Sequence, residues 1–123
     1  MTKKLLVVDD EDVLRMLIVD TLEDEGYQIQ EVQDGQEALN FIQENEYDLI
    51  IIDYMMPEYS GVEVIKKVRE MDDKHELQFL MLTAKSQQKD EEMARQAGAD
   101  YFLAKPFSPL KLVDLVGEIL DDQ

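Results

Sequence analysis

At 123 residues the chain is long enough for one packed domain and too short for two. Its formal net charge of −17, from 29 acidic and 12 basic residues, leaves no basic stripe to neutralise phosphates and argues against nucleic-acid binding. The absence of cysteine excludes disulfides and thiolate metal sites, and no apolar run approaches a membrane span, so a soluble cytoplasmic protein is expected.

Met1-Thr2-Lys3-Lys4 leads straight into Leu5-Leu6-Val7-Val8, a short apolar strand that ends on Asp9 and Asp10. Glu11 and Asp12 suit the positive end of a helix, predicted from about Asp12 to Glu25 and stopped by Gly26. Leu14, Leu17, Ile18, Thr21 and Leu22 share one face of it, whereas Met16 and Val19 are expected to point away from the core. Tyr27 to Val32 alternates weakly and reads as a strand near an edge. Asp34-Gly35 turns the chain, and Ala38, Leu39 and Ile42 mark a second helix ending near Asn45.

The central strand is predicted over Asp48 to Ile52. Leu49-Ile50-Ile51-Ile52 is continuously apolar and mostly β-branched, the pattern of a strand buried on both faces. Asp53 follows at once, and Pro57 forbids the strand from running on. Val62, Ile65 and Val68 give a third helix to about Met71, then a polar linker, Asp72 to Glu76, in which the lone His75 is assigned no role. Leu77 to Leu82 reads as a fourth strand ending in Thr83-Ala84-Lys85. A polar helix over Ser86 to Ala97, with only Met93, Ala94 and Ala97 on its apolar face, should be the least firmly packed. Tyr101 to Ala104 is the fifth strand, followed by Lys105-Pro106-Phe107, and Ser108-Pro109 caps a last helix to about Leu120.

Strands alternating with helices throughout predict an α/β fold, a five-stranded parallel sheet covered by helices on both faces, as a single domain over residues 1–123. In such a sheet every strand's carboxyl end reaches one edge, where open α/β sheets place their ligands. Strand one delivers Asp9 and Asp10, strand three Asp53, strand four Thr83 and strand five Lys105. Singly, Asp9-Asp10 is a helix-start pair, Asp53 a turn residue, Thr83 a strand residue and Lys105 a solvated charge. Jointly they are harder to dismiss. Clustered carboxylates resist full ionisation without a cation, and oxygen ligands of this kind suit Mg²⁺. The hydroxyl and the ammonium opposite are donors for a phosphoryl group, so the set describes phosphoryl transfer to an aspartate.

The motifs Val7-Val8-Asp9-Asp10-Glu11, Ile52-Asp53-Tyr54-Met55-Met56-Pro57 with Gly61, Leu82-Thr83-Ala84 and Lys105-Pro106-Phe107 resemble those of a response-regulator receiver domain of two-component signalling. The resemblance runs over essentially the whole chain and implies a flavodoxin-like (βα)5 fold with strand order 2-1-3-4-5. It implies that Asp53 is the phosphoacceptor, and that Asp9, Asp10, Asp53 and the Met55 backbone carbonyl hold Mg²⁺. Lys105, the Thr83 hydroxyl and the Ala84 amide would bind phosphoryl oxygens, Phe102 would swing inward with Thr83, and the Lys105-Pro106 bond would be cis. The donor would be a histidine kinase or histidine phosphotransfer protein, docking in part on Met16 and Val19, and the signal would pass to an unidentified downstream protein. Ser60-Gly61 in place of the commoner Asp-Gly departs from the family pattern, as does Phe102 where a tyrosine would offer a hydroxyl. Met55 and Lys85 occupy variable positions near the phosphoryl group.

Beyond its own phosphorylation and dephosphorylation no enzyme activity is expected. The chain stops soon after the last helix, so an output domain is not expected either, although a receiver cut from a larger regulator fits the same residues. Two further readings fit less well. A Mg²⁺-dependent phosphohydrolase with an aspartyl nucleophile would need an acid/base carboxylate where Met55 stands, and a cap. A flavodoxin-like binding module would need a Ser/Thr/Gly-rich phosphate loop after strand one, which Asp9-Asp10-Glu11-Asp12 is not.

Overall fold

The computed structural model describes residues 2–56, 59–71, 73–74, 76–84 and 88–121. Pro57, His75, Lys85 and Ser86 lie outside these residues. Strands β1 (Lys4–Val8), β2 (Gln28–Val32), β3 (Leu49–Asp53), β4 (Phe79–Ala84) and β5 (Tyr101–Lys105) alternate with helices α1 (Asp12–Glu23), α2 (Gly35–Glu44), α3 (Gly61–Arg69), α4 (Gln88–Ala97) and α5 (Pro109–Asp121). All neighbouring strands are parallel, in the order β2-β1-β3-β4-β5. The predicted architecture and strand order are both found. The weakly alternating β2 lies at an edge, and β3 lies at the centre with every residue buried.

The period of two along each strand divides the core into two layers. Leu5, Val7, Leu49, Ile51, Leu80 and Leu82 face α1 and α5, whose Ile18, Leu22, Leu112, Val116 and Ile119 cover them. Leu6, Val8, Ile50, Ile52, Phe79 and Met81 face the other way, under Ala38, Ile42, Val64, Ile65, Val68 and Ala94 of α2, α3 and α4. Each fully buried Leu or Ile contributes about 1.5–3 kcal/mol, and truncating one such as Ile51 to alanine would cost about 2–5 kcal/mol.

The helix starts obey local chemistry. Asp34 Oδ1 accepts from the Glu37 amide at 2.8 Å, and Ser108 Oγ accepts from the Lys111 amide at 3.1 Å. Ser60 and Glu63 cap each other at the start of α3: Ser60 Oγ accepts from the Glu63 amide, and Glu63 Oε1 accepts from the Ser60 amide. Serine therefore supplies the cap that an aspartate would give in the commoner sequence. Gly26 follows α1 at φ +92°, a conformation open to glycine, so the predicted stop is correct although regular helix ends at Glu23.

Two expectations about helix faces need correction. Val19 does not point outward. It is buried against the α1–α5 layer, and the buried stripe of α1 is Arg15, Ile18, Val19 and Leu22. Leu17, expected in the core, is 43% exposed. Among the described side chains of α4, Ala94 and Ala97 are buried while Met93 is more than half exposed, so the apolar face predicted from Met93, Ala94 and Ala97 is thinner than expected. Lys74, assigned to a polar linker, is buried, with its Nζ 3.2 Å from the Asn45 carbonyl beyond α2. No helix among the described residues is long and apolar enough to cross a membrane.

Candidate functional site at the carboxyl edge of the sheet

Parallel strands place their last residues on one edge, and here those residues are chemically consistent. Asp9 and Asp10 follow β1, Asp53 ends β3, Thr83 and Ala84 end β4, and Lys105 ends β5. One carboxylate oxygen from each of Asp9, Asp10 and Asp53 lies within 4.8 Å of the others. Asp9 and Asp53 are buried and Asp10 is exposed at the mouth. Lys105 Nζ donates to Asp53 Oδ2 at 2.9 Å and lies 3.9 Å from both Asp9 Oδ2 and Glu11 Oε1. The Lys105-Pro106 peptide is cis, as the resemblance implied.

Backbone geometry fixes the two buried carboxylates. Asp9 Oδ1 accepts from the Glu11 amide at 2.9 Å, and Asp53 Oδ1 is 3.4 Å from the Met55 amide. The Gly61 amide donates to the Tyr54 carbonyl at 3.0 Å, and a Cβ at Gly61 would collide with the Asp53 carbonyl. Only glycine lets α3 start this close to the end of β3. Two buried polar atoms have no hydrogen-bond partner among the described residues, Asp9 Oδ2 and Thr83 Oγ1. Leaving a buried polar atom unpaired costs about 1–3 kcal/mol, so both mark places built for something else.

Electrostatics point the same way. Burial pushes the Asp9 carboxyl up to about 6, aided by the charge of Asp53 and opposed by the Glu11 amide and Lys105. Burial also raises Asp53, with the Lys105 hydrogen bond and charge holding it down. Burial alone would lower the Lys105 ammonium, but its hydrogen bond to Asp53 and the charges of Asp53, Asp9 and Glu11 raise it. The protein holds these carboxylates in a place where ionising them is costly. A hard divalent cation fits that set: all donors are carboxylate oxygens, and Asp9 Oδ2 accepts no hydrogen bond among the described residues.

A cleft of about 800 Å³ opens over the cluster, lined by the charged Asp10, Glu11, Asp53 and Lys105 and by the apolar Leu14, Leu17, Met55 and Phe107. Ala84 and Met55 are exposed there, Met55 at 70%. Phe102, paired with Met81 across β4 and β5, is half-buried against the α2–α4 layer, and the Arg95 guanidinium sits 4.8 Å from its ring centroid. Met16 is 62% exposed on α1, whereas Val19 is buried and cannot belong to an exposed face. Sequence reasoning missed Glu11 as a third carboxylate near Lys105, and it missed Arg15. The second was detectable, since positions 15, 18, 19 and 22 have helical spacing even though the first is charged.

Residues 5–117 match the family model described as the response regulator receiver domain. The transcriptional regulatory protein SrrA of Staphylococcus aureus is 39% identical over 120 residues, covering 98% of this chain and 48% of SrrA, so the chain spans about half the length of the curated relatives it matches. Among solved structures, the chemotaxis response regulator CheY4 of Vibrio cholerae is similar at a TM-score of 0.92 and 34% identity, covering 98% of this chain and all of that one. The receiver domain of the sensor histidine kinase PA1611 of Pseudomonas aeruginosa, described with a magnesium ion coordinated in its active-site cleft, is similar at a TM-score of 0.90 and 28% identity, covering 98% of this chain and 99% of that domain. The likeness spans nearly the whole chain, and it places this chain in the response-regulator receiver family, as a phosphoacceptor module with an acidic cluster at the carboxyl edge of its sheet.

Proposed function

We propose that Asp53 accepts a phosphoryl group from a phosphohistidine on a histidine kinase or histidine phosphotransfer protein. The observation that carries this reading is the Asp53 carboxylate itself, buried at the floor of the cleft, bonded to Lys105 at 2.9 Å and flanked by Asp9 and Asp10. In the transfer the histidine N–P bond breaks, a bond from an Asp53 carboxylate oxygen to phosphorus forms, and the electron pair stays on the imidazole nitrogen. Lys105 then exchanges its contact with Asp53 Oδ2 for a phosphoryl oxygen. The Thr83 hydroxyl, buried and without a hydrogen-bond partner among the described residues, donates to a second, and the Ala84 amide to a third. Asp9, Asp10, Asp53 and the Met55 carbonyl would hold Mg²⁺, which when bound supplies positive charge against the phosphoryl oxygens. The magnesium in the similar PA1611 receiver supports that choice of metal.

Movement of Thr83 toward the phosphoryl group opens space beneath it, and Phe102 turns inward into that space. The phosphorylated form then signals by docking to a separate protein or by relaying the group onward, in the cytoplasm. With a net charge of −17 the domain repels nucleic acid, so its target is a protein. The test is incubation with a small acyl-phosphate donor and Mg²⁺, followed by intact mass measurement. A single phosphoryl adduct that persists supports the reading. Donor turnover that leaves no adduct, and that persists in Asp53→Asn, would favour a phosphohydrolase instead.

A further inference from the structure

The buried stripe of α1 begins with a charged residue. Arg15 occupies the first of its positions, 15, 18, 19 and 22, with its side chain 10% exposed. A leucine or methionine there would pack without the cost of desolvating a guanidinium. Arginine instead uses its planar fork to join three pieces of chain. Nη1 donates to the Asp9 carbonyl at 2.8 Å, Nε to Glu31 Oε1 of β2 at 2.9 Å, and Nη2 to Asp12 Oδ1 at the start of α1 at 2.8 Å.

The Asp9 carbonyl belongs to the peptide that links Asp9 to Asp10. Around it, the Asp9 amide donates to the Val32 carbonyl at 3.3 Å, and the Glu11 amide donates to Asp9 Oδ1 at 2.9 Å. No described residue hydrogen-bonds the Asp10 carboxylate, so among the described residues it is the path of the backbone that brings it within 4.8 Å of Asp9 and Asp53. We infer that Arg15 is a positioning residue for the cation-binding carboxylates, locking the Asp9–Asp10 peptide against β2 and α1 so that the Asp10 carboxylate meets those of Asp9 and Asp53. This rests on the reading of that cluster as the Mg²⁺ site.

Charge alone would act in the opposite sense. A cation behind the cluster repels Mg²⁺, so removing it by electrostatics would tighten binding, whereas losing the positioning weakens it. Lysine keeps the charge and the stem but cannot hold three acceptors in one plane. The experiment is titration calorimetry of Mg²⁺ into the wild type, Arg15→Lys and Glu31→Ala, with the metal-free fold of each checked by circular dichroism. Runs in 1 M salt shorten the screening length to about 3 Å and suppress the charge effect of removing Glu31.

Arg15→Lys should bind Mg²⁺ about tenfold more weakly, in the range found for residues that orient metal ligands. Glu31→Ala, which removes a half-exposed surface carboxylate and leaves the core intact, should weaken binding in the same direction in 1 M salt. Unchanged or tighter binding in Arg15→Lys overturns the inference. Should that variant not fold, unchanged binding in Glu31→Ala overturns it. A wild type that binds no Mg²⁺ overturns the reading of the cluster together with the inference, while equal binding by all three proteins overturns only the role of Arg15.

Discussion

Lys105 Nζ donates to Asp53 Oδ2 at 2.9 Å, so the residue proposed to accept a phosphoryl group is already paired with the residue proposed to steady it. One ammonium serves three neighbours, since Asp9 and Glu11 each lie 3.9 Å away. Lys105→Met should slow phosphorylation by a small acyl phosphate about 10²-fold, the effect of losing one preorganised donor to developing negative charge. Mg²⁺ binding should not weaken, because a competing cation has gone. Labelling time courses and calorimetry on the same variant check both halves, and a loss of Mg²⁺ affinity would show that Lys105 instead shapes the metal site.

The raised Asp9 carboxyl makes a prediction about pH. Its folded value of about 6 exceeds the ordinary 3.8, so between these values the native state keeps a proton that the unfolded chain has released. The associated stability is fully present below about pH 4 and is lost as pH rises through 6, to a total of about 3 kcal/mol. Asp53 is shifted in the same direction by burial and adds to the trend, whereas the raised Lys105 titrates far above this window. In chelator, Asp9→Asn should therefore gain on the wild type from pH 4 to pH 7 in thermal melts. A stability difference that stays flat over that range would show that Asp9 is not held at a cost.

Thr83→Ala removes a buried hydroxyl that has no hydrogen-bond partner among the described residues, so metal-free stability should hold or rise. Phosphorylation should proceed, but its transmission to Phe102 should weaken. The aromatic signals of Phe102 in NMR, with and without a beryllofluoride phosphoryl mimic, read that transmission. A wild type whose Phe102 signals ignore the mimic would remove Thr83 and Phe102 from the switch.

The core of this fold was legible because β3 states its burial outright in Leu49-Ile50-Ile51-Ile52, and because carboxylates, a hydroxyl and a lysine recur at the strand ends. In helix α1 the expectation holds at Ile18 and Leu22 and fails at Leu17 and Val19. Counting apolar residues alone favoured Leu17, since a buried arginine breaks the pattern at its first turn. Restoring Arg15 to the stripe turns Val19 inward and Leu17 outward to the cleft. Lys74 was missed for a related reason: a long side chain can bury its stem and bring its ammonium to a carbonyl.

With Val19 buried, Met16 carries what is left of the proposed docking face of α1, beside Leu17 at the rim of the cleft. Met16→Glu should slow transfer from a phosphohistidine protein about tenfold, equivalent to about 1.4 kcal/mol of lost docking. Labelling by a small acyl phosphate needs no docking and should run at the wild-type rate. Equal slowing of both reactions would place the damage in the site, and no slowing of either would leave Met16 as ordinary surface.

The most direct measurement compares the wild type with Asp53→Asn after incubation with a small acyl phosphate and Mg²⁺, using intact mass followed by peptide mapping. The wild type should carry one acid-labile phosphoryl group on the peptide containing Asp53, and the variant, nearly isosteric and folded by circular dichroism, should carry none. A phosphoryl group on Asp53→Asn at the wild-type level, or a wild-type group mapped to another peptide, would contradict the assignment of Asp53 as the phosphoacceptor.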